Sequence, residues 1–151
     1  MKNLTFIVIL LLVISSVFSQ DIIVIRGSAS EWKRPTGDTD DQWTNSENAY
    51  DNNLTTYANC STNGQSVTFT IDALSCDKIR IYAGRVAGGE ADLIISVYYS
   101  AAFHEIHNGT LTEDTWVEIA IGSTETVTSV KVTTGDGINS AVHEINLHDA
   151  S

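Results

Sequence analysis

The chain has 151 residues, of which 42% are hydrophobic, and its eight Lys and Arg face 19 Asp and Glu, for a formal net charge of −11 at pH 7. This length and apolar share are sufficient for one domain with a buried core. An acidic surface repels nucleic acid and anionic membranes, so we expect neither nucleic-acid binding nor membrane insertion.

The first 19 residues have the pattern of a secretory signal peptide. Lys2 gives the positive start, the run from Phe6 to Ile14 is apolar throughout, and Val17-Phe18-Ser19 ends on a small residue at the cleavage point. The apolar run is shorter than the roughly 20 residues that a helix needs to span a bilayer. We therefore predict a secreted, extracellular protein with one mature domain at 20–151; the alternative is an uncleaved N-terminal anchor.

Apolar and polar residues alternate after about residue 64, which predicts half-buried β-strands. A continuous apolar run near the mature N-terminus adds one more. The predicted strands are 21–26, 65–72, 77–84, 92–99, 102–107, 115–121, 125–133 and 141–148. Short turns rich in Gly, Asn and Asp separate them. The pattern predicts an all-β fold, a single antiparallel β-sandwich or jelly roll of about eight strands.

The region 27–64 interrupts this pattern, because it is polar and aromatic with little alternation. A loop of this length inside a compact domain is usually functional or tied down internally. In a β-sandwich the loops at one end carry specificity while the sheets hold them in place. We therefore predict that this region contributes to a binding site.

Two cysteines, Cys60 and Cys76, follow the predicted signal peptide. An even number of cysteines in a secreted chain predicts a disulfide. The bond would close a loop of about sixteen residues and contribute roughly 3 kcal/mol in the chain-entropy model. A zinc site is disfavoured, since it needs four ligands and the chain has no C-x-x-C pair.

The segment 48–57, N-A-Y-D-N-N-L-T-T-Y, resembles the N-A-x-D-G-x-x-x-T-x-W segment of discoidin-type, galactose-binding-like domains. These include the C-type domains of coagulation factors, the fucose-binding lectins and sugar-binding modules of bacterial glycosidases. As in that family, strands resembling 65–72 and 77–82 follow, and the last strand carries a glutamate, Glu144, between apolar residues. Asn52 replaces the usual glycine, and tolerates left-handed backbone angles better than most residues.

The resemblance implies a structural calcium ion beside this segment. Carboxylates would come from Asp51 and Glu144, and a hydroxyl or carbonyl from Thr56. Backbone carbonyls would come from three further residues, Asn48, Asn53 and His143. Calcium takes six to eight oxygen ligands at about 2.3–2.6 Å, which suits this set. In the alternative without metal, Asp51 accepts hydrogen bonds from the turn backbone and Glu144 caps the turn through water.

Sugar sites combine an aromatic face with a few placed polar groups. The candidates for ligand contact are Trp32, Arg34, Trp43, Tyr57, Arg85 and His104. The resemblance implies a contact arginine at Arg85, where a strand ends. The second arginine of the fucose-binding lectins corresponds here to Asp92, so fucose is not favoured. We expect Arg34 and Arg85 to meet at one end and to bind an acidic glycan. Alternatively, the aromatic residues belong to the core.

Three sequons lie in predicted loops or turns, at Asn53, Asn59 and Asn108. They predict N-glycosylation if the host glycosylates. Asn108 is the best acceptor, because it lies at a predicted hairpin turn.

The sequence has no G-x-S-x-G elbow, no H-E-x-x-H pair and no glycine-rich phosphate loop. We therefore predict a non-catalytic carbohydrate-binding lectin or adhesion module, not an enzyme, whose partner is a glycan or glycoprotein. The alternative is a structural protein of an extracellular coat, matrix or filament that associates with copies of itself. A lectin should bring aromatic or arginine side chains together at the loop end, whereas a matrix protein should expose an apolar surface or a strand edge.

Overall fold

The computed structural model describes residues 31–39, 42–135 and 139–151. The predicted signal peptide and the predicted strand 21–26 lie outside these ranges. Eight strands and a 3-10 helix follow in the order β1 (Trp32–Lys33), β2 (Gly37–Asp38), the 3-10 helix (Ser46–Tyr50), β3 (Ala58–Cys60), β4 (Ser66–Arg85), β5 (Ala91–Tyr99), β6 (Ala102–Leu111), β7 (Thr115–Thr134) and β8 (Ser140–Asp149). Within those ranges, no helix has the length and hydropathy to cross a membrane.

The strands form two layers because β4 and β7, each 20 residues long, pass from one layer to the other. The first half of β4 pairs with β2 and with the second half of β7, which continues to β5 and β6. We call this the β5 layer. The second half of β4 lies between the first half of β7 and β8, and β8 also pairs with β1 and β3. We call this the β8 layer. Every pairing is antiparallel, which confirms the predicted all-β sandwich.

The core lies between the two layers. Residues i and i+2 of a strand share a face, so the alternation in the sequence directs one set of apolar side chains inward. The largest fully buried side chains come from both layers and include Phe69, Ile79, Ile81, Leu93, Ile95, Val130, Ile145 and Leu147. They belong to a single hydrophobic cluster. Burying each such side chain contributes about 1.5–3 kcal/mol.

The polar region before residue 64 is fastened to the sandwich over most of its described length. The Tyr50 ring meets Phe69 edge to face at 6.1 Å, and its hydroxyl donates to Asp38 at 3.0 Å. Burial, together with the Asp38 carboxylate, raises the pKa of Tyr50 to about 12. Trp43 is only 4% exposed, and its indole N–H donates to the carbonyl of Gln65 at 3.3 Å. Trp43 is therefore a core residue, as the alternative interpretation had it.

The predicted disulfide is wrong. Cys60 lies opposite Ser140 and Cys76 opposite Asp149, at the two ends of β8. At about 3.3 Å per residue these ends are roughly 30 Å apart, whereas a disulfide needs Cα atoms within about 7 Å. Both thiols are buried and free. Burial raises the pKa of Cys76 to about 11, so this thiol stays protonated at neutral pH.

Candidate functional site

The loop that follows the 3-10 helix is organised around the Asp51 carboxylate. Asp51 Oδ1 accepts a hydrogen bond from the backbone N–H of Asn53 at 2.8 Å. Asp51 Oδ2 lies 2.7 Å from the hydroxyl of Thr56, which is also 2.9 Å from the carbonyl oxygen of Asn53. Asn52 has φ 66°, the left-handed conformation that explains why glycine or asparagine is suited to this position. We call residues 51–56 the Asp51 loop.

Glu144 joins this loop to the sandwich. It is 2% exposed, its Oε2 accepts the backbone N–H of Asn52 at 2.9 Å, and its Oε1 accepts the side-chain amide of Asn146 at 3.2 Å. Burial raises the pKa of Glu144, the two hydrogen bonds lower it, Arg34 lowers it further and the Asp51 carboxylate raises it. Asp51, Thr56 and Glu144 therefore belong to one hydrogen-bonded unit, and Glu144 caps the turn directly and not through water.

The oxygen atoms at the Asp51 loop are of the kind that binds calcium, but few of them belong to charged carboxylates. Among the residues the structure describes, no three His, Cys, Asp or Glu side chains are grouped so that they could hold a metal. An ion here would have two carboxylates, Asp51 and Glu144. The remaining ligands would be hydroxyl and backbone oxygens of the kind that calcium accepts. The side chain of Asn48 is occupied, because it donates to the carbonyl of Tyr57 at 3.2 Å, so Asn48 has only its carbonyl to offer.

The His143 side chain lies in an aromatic cluster on the outer surface of the β8 layer. The β4–β8 register shifts between Tyr82 and Ala83, beside His143. The His143 ring meets Tyr57 at 5.4 Å and Tyr82 at 5.6 Å, and Tyr82 meets Trp116 at 5.7 Å. Tyr57 is thus part of a surface cluster. Sequence reasoning missed Tyr82 as its partner, because an outward-facing strand residue carries no signal of what lies beside it.

Trp32 belongs to a second stack on the same outer surface. The Arg80 guanidinium carbon lies 4.5 Å from the Trp32 ring centroid and 4.3 Å from that of Trp116. Two N–H groups of Arg80 donate to Asn146 Oδ1 at 3.0 and 2.8 Å. Cation–π contacts of this kind contribute about 0.5–2 kcal/mol each. The two tryptophans fix Arg80 on the sheet, so Trp32 stabilises this surface.

Arg85 ends β4 at the edge of the sandwich, opposite Ser140. Beside it, the side-chain amide of Asn59 donates to Asn139 Oδ1 at 3.2 Å, and the carbonyl of Asn139 accepts the N–H of Val86 at 3.2 Å. The turn that follows uses two glycines with φ 87° and 112°. We call this edge of the sandwich, which carries Asn59, Arg85 and Asn139, the Arg85 end. Asn59 was predicted only as a glycosylation site and Asn139 was not predicted as a site residue, and the pairing of β3 with β8 brings the two together.

The six predicted ligand-contact residues do not form one site. Arg34 follows Lys33, which lies opposite Leu147, whereas Arg85 lies opposite Ser140. Seven residues of β8 separate these positions, or roughly 20 Å of strand, so the expected Arg34–Arg85 cluster is wrong. His104 is on β6 in the other layer, stacked on Tyr99 with ring centroids 3.9 Å apart. Of the six, Arg85 alone belongs to the Arg85 end.

The three sequons differ in their surroundings. Asn108 is exposed on β6, and its amide donates to Glu105 at 3.3 Å. Asn53 is exposed, but its Oδ1 accepts from the backbone and hydroxyl of Thr55 at 3.0 and 2.8 Å. Asn59 is half-buried and holds Asn139. Asn108 lies within β6 opposite Ile94, so the predicted hairpin turn there is wrong. Glycosylation of the three asparagines stays a prediction.

No protein-family model matches the sequence, and no curated protein is similar to it in sequence. Solved structures with a similar fold include carbohydrate-binding modules and a lectin domain. The family 32 module of AlyQ, solved with 4,5-unsaturated mannuronic acid, is 18% identical, with a TM-score of 0.59 over 79% of this chain and 98% of that one. The family 32 module of Clostridium perfringens NanJ, solved with galactose, is 18% identical, with a TM-score of 0.57 over 80% and 95%.

The lectin domain of lectinolysin, solved with the Lewis B antigen, is 12% identical, with a TM-score of 0.60 over 78% of this chain and 95% of that domain. At these identities the likeness concerns the fold. It confirms the resemblance drawn from the Asp51 loop and the terminal glutamate: the chain has the discoidin-type, galactose-binding-like fold.

Proposed function

We propose that the protein is a secreted, non-catalytic carbohydrate-binding module, a lectin or adhesion domain, that binds glycan with the Arg85 end. The observation that carries the proposal is the position of Arg85, where three strand ends meet beside two side-chain amides fixed by a hydrogen bond. The bound sugars named for the proteins of similar fold support the ligand class.

The chemistry of the Arg85 end suits sugar hydroxyls. Arginine offers five N–H donors in a fixed geometry, which match neighbouring hydroxyls or a carboxylate. An amide supplies both a donor and an acceptor, and the bond between Asn59 and Asn139 orients both amides before a ligand arrives. Because the groups are already ordered, binding costs less conformational entropy.

Little in the described residues favours the alternative of a matrix or filament protein. The exposed large apolar side chains there are Leu54, Val86 and Phe103, at 41%, 38% and 39% exposure. They belong to three separate segments, and single exposed apolar residues are normal on a soluble domain. A self-assembling protein would instead be expected to expose a contiguous apolar surface.

The proposal extends to a structural calcium ion at the Asp51 loop. Asp51 and Glu144 would hold it with Thr56 and the carbonyls of Asn48, Asn53 and His143, and the ion would neutralise the Asp51 carboxylate, which raises the pKa of Glu144. Calcium should then raise the melting temperature by mass action. Glu144→Gln should weaken that response, which differential scanning calorimetry with calcium and with a chelator measures. A melting temperature independent of calcium would refute the site.

A glycan array on the mature protein, run with calcium and with a chelator, tests the binding proposal. Arg85→Ala should abolish glycan retention while shifting the melting temperature by only a few degrees, and a large loss of stability would instead show that Arg85 is a structural residue. Lys131→Ala, which removes one positive charge from the other layer, is the matched control and should retain binding. Unchanged retention by Arg85→Ala would remove Arg85 from the site.

A further inference from the structure

A cleft of about 300 Å³ lies at the corner where β4 passes between the layers. It is lined by Lys33, Arg34, Thr36, Ile71, Asp72, Ala73 and Leu74. Lys33 is opposite Leu147, near the end of β8, whereas Arg85 is opposite Ser140 at its beginning. This Arg34 cleft is therefore at the opposite end of the β8 layer from the Arg85 end, and it is a separate site.

The cleft exists because the β4–β7 ladder is irregular at the corner. Thr70 pairs with Ser129, but the next pair is Leu74 with Val127, so three residues of β4 face a single residue of β7. The backbone of residues 71–73 consequently has no partner in that ladder. Residues 71–73 line the cleft, and strand bulges are common next to binding sites, where they re-aim side chains.

The cleft has apolar and cationic parts side by side. Ile71 and Leu74 are half-buried and pack against the core, which gives an apolar wall. Lys33 is held 3.5 Å from Asp149. Arg34 is exposed and makes no hydrogen bond or ion pair within the part of the chain that the structure describes. With Asp72, and with Asp149 bound to Lys33, the formal charge around the cleft is 2 − 2 = 0, on a chain whose net charge is −11.

We propose that the Arg34 cleft binds a carboxylated sugar residue, a uronic acid within an oligosaccharide. The carboxylate accepts from the Arg34 guanidinium, the C–H face of the ring lies on Ile71 and Leu74, and the hydroxyls bond to the backbone of 71–73. The inference goes beyond the proposed function, because it adds a second site whose ligand is anionic and whose residues are not those of the Arg85 end.

A carboxylate is favoured over a neutral sugar for two reasons. An acidic protein repels anions least where its negative charge is offset, and the charges around Arg34 offset one another. Arginine also binds a carboxylate with two parallel N–H···O bonds, and such charge-assisted bonds are about twice as strong as neutral ones. The volume suits one or two sugar rings, since small-molecule pockets begin at about 300 Å³.

The test is a titration of the mature protein with di- and trigalacturonate, followed by ¹⁵N-HSQC NMR and calorimetry, with the methyl-esterified oligosaccharides as neutral counterparts. We expect shifts at residues 71–74 and Arg34, and at least tenfold weaker binding of the ester, since a hydrogen bond to a charged group contributes about 1.5–3 kcal/mol. Arg34→Ala should weaken uronate binding by a similar factor. Ala73→Glu, an exposed position, should do the same by adding a negative charge without disturbing the core.

Lys131→Ala is the control for the loss of one positive charge and should bind uronate as the wild type does. Equal affinity for acid and ester, equal losses in Arg34→Ala and Lys131→Ala, or shifts confined to the Arg85 end would each overturn the proposal. Absence of binding at millimolar uronate would also do so. Arg85→Ala separates the two sites: it should abolish retention on the glycan array and leave uronate shifts at 71–74 intact. The experiment therefore detects loss of binding at one site independently of binding at the other.

Discussion

The two ends of the β8 layer are built by different means. At the Arg85 end, strands β3, β4 and β8 stop together, a turn with two glycines follows Arg85, and the Asn59 and Asn139 side chains are hydrogen-bonded. At the Arg34 cleft, β4 continues but its pairing with β7 is interrupted, and apolar side chains lie next to a second arginine. One end therefore consists of polar groups at strand ends, and the other combines apolar side chains with an arginine.

Together, the two proposals would give one sandwich two kinds of ligand surface. Both ends depend on the same core, but their polar groups lie too far apart to act on one monosaccharide. A glycan carrying both neutral and acidic residues would have to span roughly 20 Å along β8 to reach both arginines. Two separate ligands, or two chains of one polysaccharide, are the simpler occupants.

The largest expected effect comes from removing the support common to both ends. Phe69 is 1% exposed, packs against Tyr50 and lies opposite Asp38 of β2. Phe69→Ala should lower the free energy of unfolding by about 3–5 kcal/mol, through lost burial and the cavity that remains. Urea denaturation measures this value, and binding at both ends should fall together. Phe103→Ala, at a 39% exposed position, is the matched control and should cost less than about 1 kcal/mol. Loss of one end alone in Phe69→Ala would show that the ends are supported separately.

The sequence predicted the strands well where burial alone decides them. The prediction 92–99 corresponds to β5 at Ala91–Tyr99, and 141–148 to β8 at Ser140–Asp149, because alternation is a direct record of one buried face. It failed where 65–72 and 77–84 join into β4, and where 115–121 and 125–133 join into β7. Polar residues at those joints resemble turns, but bulges let the chain change layer while still pairing.

The site was harder to predict, because it depends on which strand ends are neighbours. The motif predicted the left-handed backbone conformation of Asn52 in the Asp51 loop. The errors on Cys60 with Cys76, and on Arg34 with Arg85, have one cause: each pair straddles the length of β8. The number of residues between the members of each pair does not indicate their distance in space, whereas the pairing of their strands with β8 does.

The free energy of unfolding should depend on pH through Glu144, and this effect should be smaller than that of Phe69→Ala. Burial raises the pKa of Glu144 above the ordinary value of 4.5. In the pH window between the pKa of the unfolded state and that of the folded state, the native state therefore holds more protons than the unfolded state. The contribution of Glu144 to stability is therefore fully present below the unfolded pKa, and is lost as pH rises through the folded pKa. In chelator, the stability of Glu144→Gln relative to wild type should increase as pH rises across that window, as measured by urea denaturation at several pH values.

Glu90→Gln, an exposed position in the turn after Arg85, gives the baseline for losing one negative charge. A pH dependence of Glu144→Gln that matches this baseline would contradict the role given to burial. Because Glu144 caps the loop that leads into β3 and Asn59, glycan retention at the Arg85 end should weaken in Glu144→Gln. Uronate binding should be unchanged or slightly tighter, since the variant removes a negative charge that interacts with Arg34.

The smallest expected effect is on stability when both arginines are removed. Arg34 and Arg85 lie roughly 20 Å apart along β8, and sites more than about 10 Å apart with no shared partner usually add within about 0.5 kcal/mol. Arg34→Ala/Arg85→Ala should therefore change the free energy of unfolding by the sum of the two single changes, with a coupling energy within about 0.5 kcal/mol. Binding should add in the same way, with uronate affinity following Arg34 and glycan retention following Arg85. A coupling energy above about 1 kcal/mol, in either stability or binding, would mean that the two ends communicate through β8, and the description of two independent surfaces would have to be abandoned.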